Sequence, residues 1–143
     1  MVFFKNDAIS LDYHKPCLIM SIKKSSISNL EIKQFSMVLK KFYKTTDQYG
    51  KPIKFGMIIY FDHFGMFQVK TMQQIGKLFE SLKEKSQIQL YGSAIILHKE
   101  LRYIFNKFLT LFNNDRPISF VEDIKAAKIA INKYINESNI VSK

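Results

Sequence analysis

Phe55-Gly-Met-Ile-Ile-Tyr-Phe-Asp62 is the clearest strand signal in the chain, and Gly92-Ser-Ala-Ile-Ile-Leu-His98 is the second. Both runs are short, apolar and rich in isoleucine, which is typical of strands that helices cover on both faces. Between them, apolar residues recur at steps of three and four, which indicates an amphipathic helix. The segment therefore predicts a strand–helix–strand unit whose strands are adjacent, or nearly so, and largely parallel.

The same patterns extend outward to both ends of the 143-residue chain. The candidate strands are 2–5, 8–13, 17–22, 55–62, 89–97 and 118–120, of which the first and the last are short. The predicted helices run from Ser28 to about Thr45, over about 69–85 and 99–112, and from Glu122 onward. Two capping boxes, Ser28-Asn-Leu-Glu31 and Ser119-Phe-Val-Glu122, open the first and the last helix. This order predicts one α/β domain over residues 1–143, with a mixed central sheet of four to five strands, four helices and a polar tail after about Asn136.

Composition limits the class of protein. The formal net charge is +10, and arginine supplies only two of the 22 basic residues, Arg102 and Arg116. Such a charge attracts phosphates, anionic lipids or acidic partners, although an AT-rich genome also produces chains rich in Lys, Ile and Asn. No apolar run approaches the roughly 20 residues that span a bilayer, and no basic segment precedes the first apolar residues. With Cys17 as the single cysteine, we expect a cytoplasmic protein, bacterial or virus-encoded.

Several segments resemble STAS domains, the fold of bacterial anti-anti-sigma factors, and in particular a divergent STAS-like group. The resemblance covers nearly the whole chain. A proline precedes an early apolar strand, and a central strand ends in Asp before a glycine-containing loop. Late in the chain an apolar strand and a helix lead to Arg-Pro before a short strand and a helix. The matching segments are His14-Lys-Pro-Cys-Leu-Ile-Met20, Tyr60-Phe-Asp-His-Phe-Gly65, Val69-Lys-Thr-Met-Gln73, Ala94-Ile-Ile-Leu97, Leu101-Arg-Tyr-Ile-Phe105 and Arg116-Pro-Ile-Ser-Phe120, followed by Glu122-Asp123.

The resemblance implies a regulatory or scaffolding protein-interaction module that binds a protein partner. The partner could also be a second copy of the chain, which would make the protein a homodimer. In signalling STAS domains the second helix opens with Asp-Ser-Ser-Gly, where a kinase phosphorylates a serine. Here the corresponding residues are Lys70-Thr-Met-Gln73, so Thr71 is the only hydroxyl, and its expected role is in helix capping. The chain is therefore predicted to lack the phosphorylation switch. The residues predicted to face the partner are Asp62, His63, Phe64, Met66, Phe67, Lys70 and Thr71.

The sequence leaves two other functions open. Lysines near the end of the first helix could bind nucleic acid or an anionic membrane surface, and the candidates are Lys40, Lys41, Lys44, Lys51 and Lys54. Nucleic acid is not favoured because arginine is scarce. Asp62, His63 and His98 follow the two main strands, where open α/β sheets bind ligands, so a small-ligand carrier or enzyme is the third alternative. Since no nucleophile, metal-ligand spacing or glycine-rich loop accompanies them, the chain is predicted to be non-catalytic, without metal or cofactor.

Overall fold

The computed structural model describes residues 2–24, 26–61, 69–97 and 116–141. Its strands are β1 (Val2–Lys5), β2 (Ile9–His14), β3 (Cys17–Ile22), β4 (Phe55–Phe61), β5 (Leu90–Ile96) and β6 (Ile118–Val121). Its helices are α1 (Asn29–Tyr43), α2 (Val69–Ser81), α3 (Lys83–Gln89) and α4 (Ile124–Val141). The last helix continues past Asn136, the point at which the sequence predicts a polar tail.

The strands form a single mixed sheet in the order β1-β2-β3-β4-β5-β6. The first three strands pair antiparallel, and β3 to β6 pair parallel. Ile58 lies opposite Ala94 and Ile59 opposite Ile95, so the predicted parallel pairing of the two main strands is confirmed. The α/β class and the mixed sheet are confirmed as well.

The predicted number of four to five strands is wrong, because the sheet has six. Both edge strands are only four residues long, and each joins the sheet through one neighbour. Phe4 lies opposite Leu11 at one edge, and Phe120 lies opposite Ile95 at the other. Such short segments carry little periodicity of their own, so the neighbouring strand decides whether they pair.

The helices also depart from prediction. The helix predicted over 69–85 is divided at Leu82, which is almost fully buried, and the backbone resumes as α3. The Leu82 N–H bonds to the Phe79 carbonyl, three residues back, which tightens the last turn of α2. The last helix begins at Ile124 with Asp123 as its cap, since Ser119, the predicted cap, lies in β6. The helix predicted over 99–112 lies outside the described residues.

Helix α1 begins as predicted. The Ser28 hydroxyl oxygen accepts a hydrogen bond from the Glu31 N–H at 3.1 Å, and the Glu31 carboxylate accepts one from the Ser28 N–H at 3.0 Å. This capping box satisfies two backbone donors that a helix N-terminus would otherwise leave unpaired. The helix then buries Phe35, Leu39 and Phe42 at steps of four and three.

The two faces of the sheet carry separate apolar layers. Met57 and Ile59 contribute to the layer beneath α1 and α2, whereas Ile58 between them contributes to the layer beneath α4. Alternate strand residues point to opposite faces, so one apolar run supplies both layers. This is the physical reason that the main strands carry apolar residues on both faces.

Glycines allow α4 to approach the sheet closely. A Cβ at Gly56 would meet the Ile131 side chain, and a Cβ at Gly92 would meet the Tyr134 ring, in both cases closer than side-chain atoms pack. The Tyr134 hydroxyl also hydrogen-bonds the Ser119 hydroxyl of β6. Helix α4 is thus held against β4, β5 and β6.

A buried polar network joins α1 to α3. The Gln89 side-chain amide donates hydrogen bonds to the carbonyl oxygens of Tyr43, at 2.9 Å, and Ile53, at 3.1 Å. The hydroxyls of Tyr43 and Ser86 lie 2.8 Å apart and are hydrogen-bonded. Tyr43 ends α1, so Gln89 satisfies a carbonyl that the helix leaves without an intrahelical donor.

We expect Tyr43 to make the protein less stable at alkaline pH. Burial raises the pKa of Tyr43 to about 12, while the hydrogen bond with Ser86 acts in the opposite direction. The unfolded chain releases this proton near pH 10. The contribution of protonated Tyr43 to the free energy of unfolding is therefore complete below about pH 10 and is lost as the pH rises through about 12. At about pH 11 the loss is about 1 kcal/mol.

Urea unfolding at about pH 9 and about pH 11 measures this loss. Tyr43→Phe is the matched variant, because it keeps the ring and removes the titrating group. The wild-type chain should lose about 1 kcal/mol more between the two pH values than the variant does. Equal losses would contradict the assignment.

Candidate interaction surface

The five candidate lysines lie at or just after the C-terminal end of α1. Lys40 and Lys41 are in the last turn, Lys44 is the C-cap, and Lys51 and Lys54 precede β4; all five side chains are exposed. Lysines at a helix C-terminus interact favourably with the helix dipole, which gives the first three a structural role as well.

The segment between α1 and β4 is a tight turn built around Asp47. Its carboxylate accepts hydrogen bonds from the backbone N–H groups of Tyr49, at 2.8 Å, and Lys51, at 3.0 Å. Gly50 has a φ of 75°, in the left-handed region that favours glycine. The turn reverses the chain, presents Tyr49 at 77% exposure and places Lys51 on the surface.

Within the part of the chain that the structure describes, no carboxylate lies at ion-pair distance from any of the five lysines. Glu31, at the opposite end of α1, is paired with Lys24 at 3.3 Å. The Ser28 backbone N–H, foremost, and then the Ser28 hydroxyl and Lys24, lower the pKa of Glu31 despite some burial. The acidic side chain of the first turn is therefore committed to the cap and to Lys24.

Most of the residues predicted to face a partner are outside the described part of the chain. The described residues do not include Asp62, His63, Phe64, Met66 or Phe67. Lys70 and Thr71 occupy the first turn of α2, and the described part of that helix does not include their side chains.

Of the three histidines, the described residues include His14 alone. His98 lies outside the described residues together with His63, and His14 is exposed, 2.8 Å from Asp12. Ser93 is buried inside β5, where its N–H bonds to the Pro117 carbonyl. In ranges 2–24, 26–61, 69–97 and 116–141 no three His, Cys, Asp or Glu side chains come together as a metal site would need. No helix in those ranges is long and apolar enough to cross a membrane.

Two apolar residues on the solvent side of α1 were not among the predicted site residues. Leu30 and Met37 are each 65% exposed. They are seven residues apart, so they lie on one line of the helix. A helical projection would have found them from the sequence alone, because they fall opposite the buried stripe.

No family model matches the chain, and no curated protein matches it. Among solved structures the chain is similar to a chain in the crystal structure of the diguanylate cyclase SiaD in complex with its activator SiaC from Pseudomonas aeruginosa. The TM-score is 0.56 at 9% identity, and the likeness covers 84% of this chain and 97% of the other. At this identity the likeness shows a shared α/β fold. The similar chain belongs to a complex of an enzyme with its protein activator.

Proposed function

We propose that the chain is a non-catalytic, regulatory protein-interaction module of STAS-like fold that acts by binding a partner protein. The observation that carries this proposal is the fold likeness, over 84% of the chain, to a chain crystallised in an enzyme–activator complex. A module of this kind needs a stable scaffold and an exposed surface, and it needs no set of catalytic side chains. The partner to assay first is a signalling enzyme whose activity the chain raises or lowers by binding.

The arrangement of elements supports the STAS-like assignment. Pro16 directly precedes β3, and α2 begins a short distance after β4. Arg116 and Pro117 lead directly into β6, and Glu122 and Asp123 lead into α4. These are the positions at which the resemblance implies strand and helix boundaries.

We further propose that residues 62–67 and the first turn of α2, which includes Lys70 and Thr71, face the partner. Phe64, Met66 and Phe67 support this assignment, because they are apolar in a connection expected to be solvated. A buried aromatic pair would contribute to folding, whereas an exposed pair would contribute to binding, at about 2 kcal/mol or more in either case.

The test begins with crosslinking and affinity purification of the chain from cells that express it naturally. The captured protein is then purified, and its activity is measured with and without the chain. We expect a stoichiometric complex and a change in the partner's activity. Absence of a partner, or a partner whose activity does not respond, would contradict the regulatory role.

One double variant localises the contact. Phe64→Ala combined with Phe67→Ala should reduce partner capture while the melting temperature changes little. An unfolded double variant, or unchanged capture, would place the contact elsewhere.

Because the proposal includes no phosphorylation switch, intact-mass analysis of the native protein should show no stoichiometric phosphate on Thr71.

The exposed lysines favour a second candidate function, binding to nucleic acid or an anionic membrane. We expect only weak binding to DNA or RNA, because lysine contacts to phosphate are largely electrostatic and weaken steeply with salt. Fluorescence anisotropy with labelled duplex and single strands measures this across a salt series. We expect binding to disappear near physiological ionic strength. Submicromolar affinity at about 150 mM salt would make the nucleic-acid function the leading one.

A further inference from the structure

The solvent side of α1 carries an ordered mixture of apolar and basic side chains. At 100° per residue, Leu30 and Met37 lie about 20° apart around the helix and about 10 Å apart along it. The buried residues Phe35 and Leu39 are on the opposite side. The two apolar side chains therefore lie along the line of the helix farthest from the core.

Four exposed lysines surround and extend this line. Lys33 lies between the two apolar residues, and Lys40, Lys41 and Lys44 continue beyond Met37. Among the described residues none of the four has a carboxylate at ion-pair distance. We call this surface the α1 outer face, and its members are Leu30, Lys33, Met37, Lys40, Lys41 and Lys44.

We propose that the α1 outer face binds an acidic amphipathic helix of the partner protein. Apolar side chains of that helix cover Leu30 and Met37, and carboxylates on its flanks pair with the lysines. The seven-residue separation of the two apolar residues matches the repeat at which a second helix presents its own apolar side chains. This inference rests on the proposed function and specifies the surface and the chemistry of the partner.

Charge and apolar area together favour this occupant over the alternatives. Phosphates of a nucleic acid would lie over Leu30 and Met37, and the face offers no arginine for bidentate contacts. A membrane-bound helix needs a broad apolar face, whereas here the wider apolar stripe already packs against the sheet. A second copy of the chain pairing through the same face would bring four lysines against four lysines.

The first turn of α1 is also joined to α2 by a side-chain hydrogen bond. The Gln74 side-chain amide of α2 donates a hydrogen bond to the Asn29 side-chain oxygen at 2.6 Å. Leu30 therefore lies next to the N-terminal half of α2.

The first test uses a synthetic acidic helix with leucines at heptad spacing and glutamates on both flanks, titrated against the full chain at about 150 mM salt. Met37→Glu, and the triple variant Lys40→Glu, Lys41→Glu and Lys44→Glu, should each weaken binding by at least about tenfold. Helix α4 supplies matched controls, since Ile129 is 61% exposed and Lys125, Lys128 and Lys133 are exposed. Ile129→Glu, and glutamate at those three lysines, should change binding by less than about twofold.

The second test places a photocrosslinking amino acid at position 37 or at position 129 of the chain in cells that express it naturally. We expect an acidic segment of a protein partner to be captured at position 37 and not at 129, and this capture should be lost in the triple lysine variant. Circular dichroism confirms that each variant is folded.

Several results would overturn the inference. These are equal binding of a scrambled peptide, equal effects of the α1 and α4 variants, or crosslinks at position 37 to lipid, nucleic acid or another copy of the chain. A partner that is captured and regulated but does not depend on α1 would overturn this surface and leave the proposed function intact. Absence of any partner would overturn both this inference and the proposed function.

Discussion

Replacing Gln89 with leucine is expected to destabilise the protein by about 3 kcal/mol. Gln89 is almost fully buried, and its amide is a hydrogen-bond donor to the carbonyls of Tyr43 and Ile53. Leucine fills a similar volume and donates nothing, so two carbonyl groups lose a partner where water has little access. An unsatisfied buried polar group costs about 1–3 kcal/mol, which exceeds any gain from the more apolar side chain.

Chemical denaturation of three variants separates hydrogen bonding from packing. Gln89→Glu keeps the shape but, when ionised, can only accept hydrogen bonds, so it should destabilise at least as much as leucine. Gln73→Leu, at an exposed position of α2, should change the free energy of unfolding by less than about 0.5 kcal/mol. If Gln89→Leu were as mild as Gln73→Leu, the two carbonyls would have other donors and the network would not join α1 to α3.

Replacing Gly56 with valine is expected to cost about 2–3 kcal/mol. Local preference alone predicts the opposite sign, since valine favours strands and glycine in a strand interior costs roughly 0.5–1 kcal/mol. The contact with Ile131 should prevail, because a side chain at this position has no room unless α4 moves away from β4. Such a movement would loosen the layer that contains Ile58 and Ala127.

A compensating substitution tests this mechanism. Ile131→Ala removes three carbon atoms where Gly56→Val adds three, so the double variant restores the total volume. Ile131→Ala alone should cost about 2–5 kcal/mol. The double variant should be more stable than the sum of the two single effects predicts. Additive effects would show that the two positions do not share a packing contact.

The sequence predicts some features of the candidate site and not others. The lysines at the end of α1 follow from the sequence, because a helix that ends near Thr45 must present Lys40, Lys41 and Lys44 close together. Their lack of carboxylate neighbours among the described residues does not follow from the sequence, because it depends on which elements pack nearby. Residues 62–67 remain a prediction, since their positions lie outside the described part of the chain.

For the α1 outer face, the sequence predicts the positions of the side chains but not their exposure. The periodicity that predicts Phe35 and Leu39 in the core also places Leu30 and Met37 on the opposite side. Periodicity cannot show that this opposite side stays free of other elements. The 65% exposure of both residues settles that point, and it is a property of the packed molecule.

The sequence by itself determined the elements that carry long apolar patterns, together with their order. Nearly continuous apolar runs predicted β4 and β5 as strands buried on both faces, and apolar residues at steps of three and four predicted α1. The capping box at Ser28 set its start. These features are local, because each depends on side chains within a few residues of one another.

The tertiary structure decided which segments came together. The edge strands β1 and β6 pair only because a neighbouring strand offers hydrogen-bonding groups, and α2 ends at Ser81 because Leu82 enters the core. Helix α4 lies on the opposite face because Gly56 and Gly92 leave room for Ile131 and Tyr134. A sequence pattern states which side of an element is apolar, whereas the partner that covers that side is chosen by the fit of the whole chain.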